Sequence, residues 1–440
     1  MSRVWILAFL LFPLLAPQIK AETVTLTLQD AVQRALDQSL DLKKSTVDLA
    51  QSEYSARRLW SEIFPGISFS AGLTFLPSTP LITDPGFSYN NDGLSYSLNL
   101  GLSLSLNPSF ASSMKRIELA YRSQLLSYEN ASRQLEIQVI KNFLNLITMK
   151  ENLSFLAERL ELAENKLRND RVARQNGLLN ELGWLNSQLS TETARYNLSY
   201  AQGAYRNSLD EFLALLEMEE GTDIVFRGTI EIAPVSYDPE QLILEYLPKR
   251  PDIISRRQTI ERMELTKNVT ALNSRSPTLE LSSQWRGSPE TGGGLGAPFT
   301  DNVSGSLTLR IPIDSWIPGT RQEQTIRAAN AEVEKARLDL QNAETQAKTQ
   351  IRSLISNLKS TWENLSVARM RVEIAERTVE ATNISFRNGI VSFQELENRQ
   401  NDLSDARQRL LQGELSYQSL LLDLAAALNV EWETLIRGMP

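Results

Sequence analysis

Neither cysteine nor histidine occurs among the 440 residues. The first absence removes disulfides, thiolate nucleophiles and a lipid-acylated cysteine at a processed N-terminus. The second removes imidazole acid–base catalysis, and the two together remove most zinc and haem ligation. Positive charge is also short: 45 Lys and Arg against 53 Asp and Glu leave a net charge of −8. No basic patch is interleaved with aromatics, and phosphate binding demands a positive surface, so no nucleic-acid partner is expected. Long hydrophobic runs are missing as well. After the N-terminal segment no stretch reaches about 18 consecutive apolar residues, which leaves the mature chain without a transmembrane helix. Catalytic constellations are lacking too. A Ser/His pair is impossible, and "TGGGLG" at 291–296 precedes neither a helix nor a lysine, so it reads as a loop and not as a phosphate cradle. No enzyme, no cofactor and no metal site is expected.

Hydrophobic residues at 42% and charged residues at 22% are ordinary for a folded chain with room for more than one domain. Residues 1–21 read as a cleaved signal peptide: Arg3 supplies the leading charge, Val4 to Leu15 an apolar segment, and Ala21 a small residue for cleavage. A membrane anchor is the alternative, but this segment is short for a bilayer and Pro13 interrupts it.

Two long stretches, 109–175 and 320–388, contain neither proline nor glycine. A continuous helix over either would extend roughly 100 Å at 1.5 Å per residue. In the second, Ile351, Leu358, Leu365, Val372, Val379 and Phe386 recur every seven residues, with Leu354, Thr361, Ala368, Ala375 and Thr382 as the companion row. Such heptads predict coiled-coil packing. A spectrin-like or filament-forming rod shows the same pattern.

Strand patterns come in two pairs, at about 65–76 with 94–107 and about 277–287 with 302–313. The second is the cleanest: Tyr96, Leu98, Leu100, Leu102, Leu104 and Leu106 alternate with Ser97, Asn99, Gly101, Ser103 and Ser105. Period-two alternation predicts strands with one apolar and one polar face. Thirteen residues at about 3.4 Å, tilted near 40°, rise about 34 Å, enough to cross a hydrocarbon core of about 30 Å. A soluble sandwich strand alternates in the same way, but its outer face usually carries more Lys and Glu than the Ser, Asn, Gly and Thr present here. Leu98, Leu100, Leu102 and Leu104 are therefore expected to face lipid. Four strands cannot close a barrel, and an open edge is not tolerated in lipid, so closure needs further copies of the chain. Trp60, Phe64, Trp285 and Trp316 flank or join the strands and suit interfacial aromatic girdles, with ordinary core packing as the alternative.

The order of features repeats. Asp41 and Asp252 in "SLDLKKS" and "RPDIISR" are 211 apart, while Pro65 and Pro277, and Gly177 and Gly389, are each 212 apart. This predicts a duplicated plan. Residues 22–230 would hold one repeat, with helix 109–175 and turn 176–179. Residues 231–440 would hold the second, with helix 320–388 and turn 389–391. In each turn an Asn and a Gly close the incoming helix, Asn176-Gly177 and Asn388-Gly389, and an apolar residue follows, Leu178 or Ile390. Asn180 and Ser392 start the next helices, and Glu395 three residues after Ser392 suggests a capping box.

The duplicated plan, "RPDIISR" leading to "SPTLELS", and the two "NG" turns followed by "LLNEL" and "IVSFQEL" resemble the TolC-like outer-membrane efflux proteins, over about residues 25 to 435. The resemblance implies a mainly α fold with membrane β: long coiled-coil hairpins forming a helical barrel, and four strands per chain contributing to a twelve-stranded barrel shared by a homotrimer. It implies an outer-membrane location with a long periplasmic extension, a periplasmic adaptor (membrane fusion) protein, an inner-membrane pump, and export of small molecules or proteins. By the same resemblance Asn176, Gly177, Leu178, Asn388, Gly389 and Ile390 form the periplasmic tip that meets the adaptor. Glu395 falls on a family acidic position and is the candidate entrance gate, while Gly183, its counterpart in the first half, departs from the usual aspartate and Asn398 is neutral. A non-conducting coiled-coil tether is the reading of a different class.

Overall fold

A computed structural model describes residues 24–75, 80–83, 86–89, 94–222, 224–228, 232–289 and 298–437. The signal-peptide expectation at 1–21 and the loop expected at 291–296 lie outside these residues. The chain divides into two compact units, and each draws segments from both sequence halves.

The first unit comprises the residues up to Ser39, Gln134–Pro234 and Leu358–Leu422. A short strand β1 (Val24–Thr27) runs parallel to β6 (Ile224–Arg227), in register from Val24 against Ile224. Helix α1 (Leu28–Gln38) starts at Thr27, where a complete capping box joins the Thr27 hydroxyl and the Asp30 carboxylate. Its Ala31 and Ala35 pack with Leu26, Val139, Phe143, Leu146, Phe212, Leu213, Leu216 and Ile224 into one buried core. Phe143, Phe212 and Phe226 meet there at centroid distances of 5.2–6.4 Å.

The rest of this unit is a row of four antiparallel helices: the distal parts of α3 (Phe110–Gln175) and α7 (Arg321–Arg387), with α4 (Glu181–Leu215) and α8 (Phe393–Leu428). Contacts set their order. Thr191 Oγ1 of α4 donates to the Ala163 carbonyl of α3 at 3.1 Å. Arg159 and Lys166 of α3 meet Asp405 and Glu397 of α8. Arg407 and Glu414 of α8 meet Glu376 and Arg369 of α7. The row therefore reads α4–α3–α8–α7, with α4 and α7 outermost. The expected heptad row on α7 is buried at Ile351, Leu358 and Leu365 but exposed at Phe386, so the seam opens toward the turn.

The second unit holds a four-stranded sheet with α2 (Leu40–Arg57), α5 (Pro239–Tyr246), α6 (Pro251–Arg275) and α9 (Trp432–Arg437). Strands β2 (Gly66–Phe75), β5 (Leu94–Leu106), β7 (Thr278–Pro289) and β8 (Phe299–Arg310) form one antiparallel sheet in the order β2-β5-β7-β8. A hairpin of β3 (Pro80–Thr83) and β4 (Gly86–Tyr89) stands apart. Neither this hairpin nor the β1–β6 pair follows from the alternation pattern, because strands of four residues are too short to display a period. Strand β8 starts earlier and stops earlier than the expected 302–313; Ile311 and Ile313 lie beyond it, just before a 3-10 turn at Asp314–Trp316. Among the described residues no helix is long and apolar enough to cross a membrane.

Candidate functional site

Two places combine unusual geometry with exposed apolar surface: the paired helix turns of the first unit and the two-faced sheet of the second. At the first turn Gly177 has φ +73° and at the second Gly389 has φ +71°, the left-handed region where a Cβ is strained. Each glycine closes a six-residue helix-ending motif. The Leu178 amide donates to the Ala173 carbonyl at 2.8 Å and the Gly177 amide to the Arg174 carbonyl at 3.0 Å. The Ile390 amide donates to the Ser385 carbonyl, and the Gly389 amide to the Phe386 carbonyl, both at 2.9 Å. The apolar residue that ends this motif usually folds back on its helix. Here Leu178 is 81% and Ile390 73% exposed, so both point away from the hairpins.

Side chains brace each turn. Arg174 lies 4.3 Å over the Trp184 ring, and Phe386 meets Phe393 edge-on at 5.8 Å. Asn180 Oδ1 accepts from the Gly183 amide at 2.8 Å, capping α4. A Cβ at Gly183 would come within 2.7 Å of Leu179 Cδ1, the end of a side chain that would have to turn aside.

The capping box expected at Ser392 is only half formed. Ser392 Oγ accepts from the Glu395 amide at 3.2 Å, but Glu395 Oε1 accepts from Arg399 Nε and a terminal nitrogen at 2.9 and 2.6 Å. An arginine one turn along offers two charged donors, against one neutral amide at the cap. Arg399 also reaches Asp402 at 3.1 Å. Its pKa is raised by the Glu395 hydrogen bond first and by that carboxylate's charge second. Glu395, Arg399 and Asp402 together leave one net negative charge.

A further pair links the hairpins close to the turns. Lys166 Nζ lies 2.6 Å from Glu397 Oε2, with side-chain exposures of 15% and 9%. Gln394 contacts both partners. Sequence reading misses this pair, whose members are 231 residues apart. It also misses two exposed apolar stripes. On α4 and its turn, Leu178, Leu182, Leu185, Leu189, Tyr196 and Tyr200 are exposed, and on α7, Val367, Met370, Ile374 and Ile384. The 4-3-4 spacing of the first four leucines was the signal available.

In the sheet, cross-strand register sorts side chains by face. Leu100 sits between Phe69 and Trp285, and Leu102 between Ile67 and Ser283. Leu104 pairs with Leu281, which pairs with Leu307. Leu100 and Leu102 are exposed, as are Phe69, Leu73, Leu281, Val303 and Leu307 on the same face; Leu98 and Leu104 are half-buried by neighbours. The other face carries Ser, Thr, Asn and Gly, with Ser282 and Ser306 hydroxyls 2.7 Å apart. Gly287 lies under the Phe299 ring, which an added Cβ would meet at 2.1 Å. Trp60, Phe64 and Trp316 are all exposed in the single chain. Among the described residues no group of three or more acidic side chains is placed to hold a metal ion.

Comparison with known proteins agrees with this geometry. The family model described as outer membrane efflux protein matches residues 31–216 and 245–430. No curated protein matches the sequence. Among solved structures, the chain is similar to the Campylobacter jejuni CmeC outer membrane channel, with 18% identity, TM-score 0.72, and 91% of this chain and 85% of that one covered. It is similar to the Vibrio cholerae outer membrane protein VceC, with 14% identity, TM-score 0.69, and 92% and 96% covered. It is also similar to the open state of the Neisseria gonorrhoeae MtrE outer membrane channel, with 15% identity, TM-score 0.71, and 92% and 89% covered.

Proposed function

The chain belongs to the outer membrane efflux protein family, and from that premise we propose that three copies close a twelve-stranded barrel and a helical tunnel through which solutes leave the cell. Its place is the outer membrane and its work is that of an efflux channel. The chain's unfinished edges support the trimer, and the family supports an adaptor and a pump as its partners.

One observation carries the closure. Among the described residues the sheet ends in two strands whose outer edges have no partner, β2 and β8, and the helix row ends in two helices, α4 and α7, each with an apolar stripe exposed. Unpaired strand edges are not tolerated in lipid, and exposed heptad-like stripes call for a partner helix. Left and right edges differ in both cases. Edge β2 of one copy then meets β8 of the next, and α4 meets α7, a head-to-tail contact that must close as a ring. A tether would not need a sheet with an unbroken polar face. The two stretches matched by the family model also support repeats spanning 22–230 and 231–440.

At the turns, Leu178 and Ile390, held outward by Asn176-Gly177 and Asn388-Gly389, present an apolar contact for a periplasmic adaptor, with an inner-membrane pump behind it. Glu395 lines the entrance as part of the trio with Arg399 and Asp402, whose net negative charge would favour cations there. Exported solutes are small molecules or proteins handed on by the pump.

The natural absence of cysteine makes closure directly testable. Leu189 on α4 and Ile384 on α7 lie at one level of the row, judged from the Thr191–Ala163, Lys166–Glu397 and Phe386–Phe393 contacts. Oxidised chains carrying Leu189→Cys and Ile384→Cys, with companion pairs one turn above and below, are expected to form a ladder that stops at the trimer. Monomers alone, or a ladder that runs on, would refute ring closure.

A further inference from the structure

The polar face of the sheet is almost uncharged. Among its described residues, only Glu280, Arg286 and Arg310 carry charge there. Glu280 and Arg310 sit near the same end, since Arg310 pairs with Thr278, two residues from Glu280, and their charges offset each other. Arg286 stands alone. It is six residues along β7 from Glu280, roughly 20 Å, more than twice the screening length of about 8 Å at physiological salt. The nearest carboxylate on the ladder, Asp301, belongs to the apolar face, where it accepts from Trp285 Nε1 at 3.2 Å. Arg286 is exposed, and its Nε donates to Asn99 Oδ1 on β5 at 3.0 Å. That bond fixes the stem on the polar face, and among the described residues the terminal nitrogens have no protein partner. Ser97, Gly101 and Ser304, small neighbours on the same face, leave room around it.

We propose that Arg286 is a selectivity residue of the barrel: three copies form a cationic ring in the lumen that favours anionic solutes. This rests on the trimeric duct. Twelve strands about 4.8 Å apart and tilted near 40° enclose a backbone radius of about 12 Å, and an arginine side chain spans roughly half of that. A solute on the axis then lies about 6 Å from all three guanidinium groups, inside the screening length. The three charges together enrich a monovalent anion at that level about five-fold. The ring's sign is opposite to that of the trio at the helix turns. Asn99 acts as a positioning residue for it.

The test uses the full chain as a trimer in planar bilayers under a potassium chloride gradient. Arg286→Cys introduces the only thiol in the mature protein, and reagent is added from the side of the strand loops. Removing the charge is expected to lower the chloride-to-potassium permeability ratio about two- to five-fold. A cationic methanethiosulfonate should restore the wild-type ratio, and an anionic one should lower it further. Arg286→Lys is expected to behave as wild type. Conducting channels whose thiol does not react, or whose permeability ratio is the same with either reagent, would overturn the ring and leave the duct standing. Wild-type trimers that never conduct would overturn both.

Discussion

Replacing Leu100 by arginine places a guanidinium at the centre of β5, six residues from each end of Leu94–Leu106. Six residues are roughly 20 Å of strand, or about 15 Å of height at a tilt near 40°. Leu100 therefore lies at about the middle of a hydrocarbon core of about 30 Å. Its side chain is exposed between Phe69 and Trp285, and neither neighbour offers a carboxylate. On the lipid face the cost is about 2–4 kcal/mol per chain at mid-bilayer, which is roughly 30- to 900-fold in the assembly equilibrium before the three copies are counted. Ser103→Arg is the matched control. Ser103 pairs with Gly66 and Ser282 on the polar face, and the missing side chain at Gly66 leaves space for a longer one in a water-filled lumen. Urea midpoints of folding into lipid vesicles, with trimer yield on native gels, read both variants. The expected outcome is a sharp loss for Leu100→Arg and near wild-type behaviour for Ser103→Arg. The loss falling on Ser103→Arg would mean that the faces are reversed, and equal yields would mean that neither face meets lipid.

Lys166→Met leaves the nearly buried Glu397 carboxylate with Gln394 alone and should cost about 3 kcal/mol; denaturant midpoints should recover most of it in the Lys166→Met/Glu397→Gln double variant. Ile390→Asp is expected to abolish co-purification with the periplasmic adaptor while leaving trimer yield unchanged, because that side chain neither packs on its own hairpin nor belongs to the stripes of α4 and α7. Burial opposes ionisation of Asp252, but the Arg250 guanidinium, at 2.8 and 3.0 Å, and the Ile253 amide hold its pKa below the usual carboxylate range. A depressed folded-state pKa contributes stability above the unfolded value of about 3.9 and loses it as pH falls through the folded value. The stability difference between wild type and Asp252→Asn should thus be full near pH 6, begin to shrink below about pH 3.9 and vanish only below the lower, folded value, as read by denaturant midpoints; a constant difference across that range would refute the pairing.

The features legible in the sequence are those governed by local rules. The alternation of Leu98 to Leu106 with small polar residues dictates a two-faced strand, because successive side chains on an extended chain must point to opposite sides. Asn176-Gly177 and Asn388-Gly389 announce helix ends because only glycine takes a left-handed φ without strain. The Glu395–Arg399 pair is equally local, at i and i+4, and it competes with the capping box for the same carboxylate.

Tertiary structure decided what locality does not constrain. Alternation does not say that β5 lies between β2 and β7, since any strand with the same faces satisfies the same pattern. Heptads do not say which helix fills the seam; on α7 the row from Ile351 to Leu365 is buried, while Val367, Met370 and Ile374 remain outside. Lys166 and Glu397 meet because the row brings α3 against α8, and no spacing in the chain encodes that. The sequence by itself determined which elements form and which of their faces are apolar. Only the packed chain determined which faces are satisfied internally and which, at β2, β8, α4 and α7, are left for another copy, because burial is a property of neighbours and not of the residues that need them.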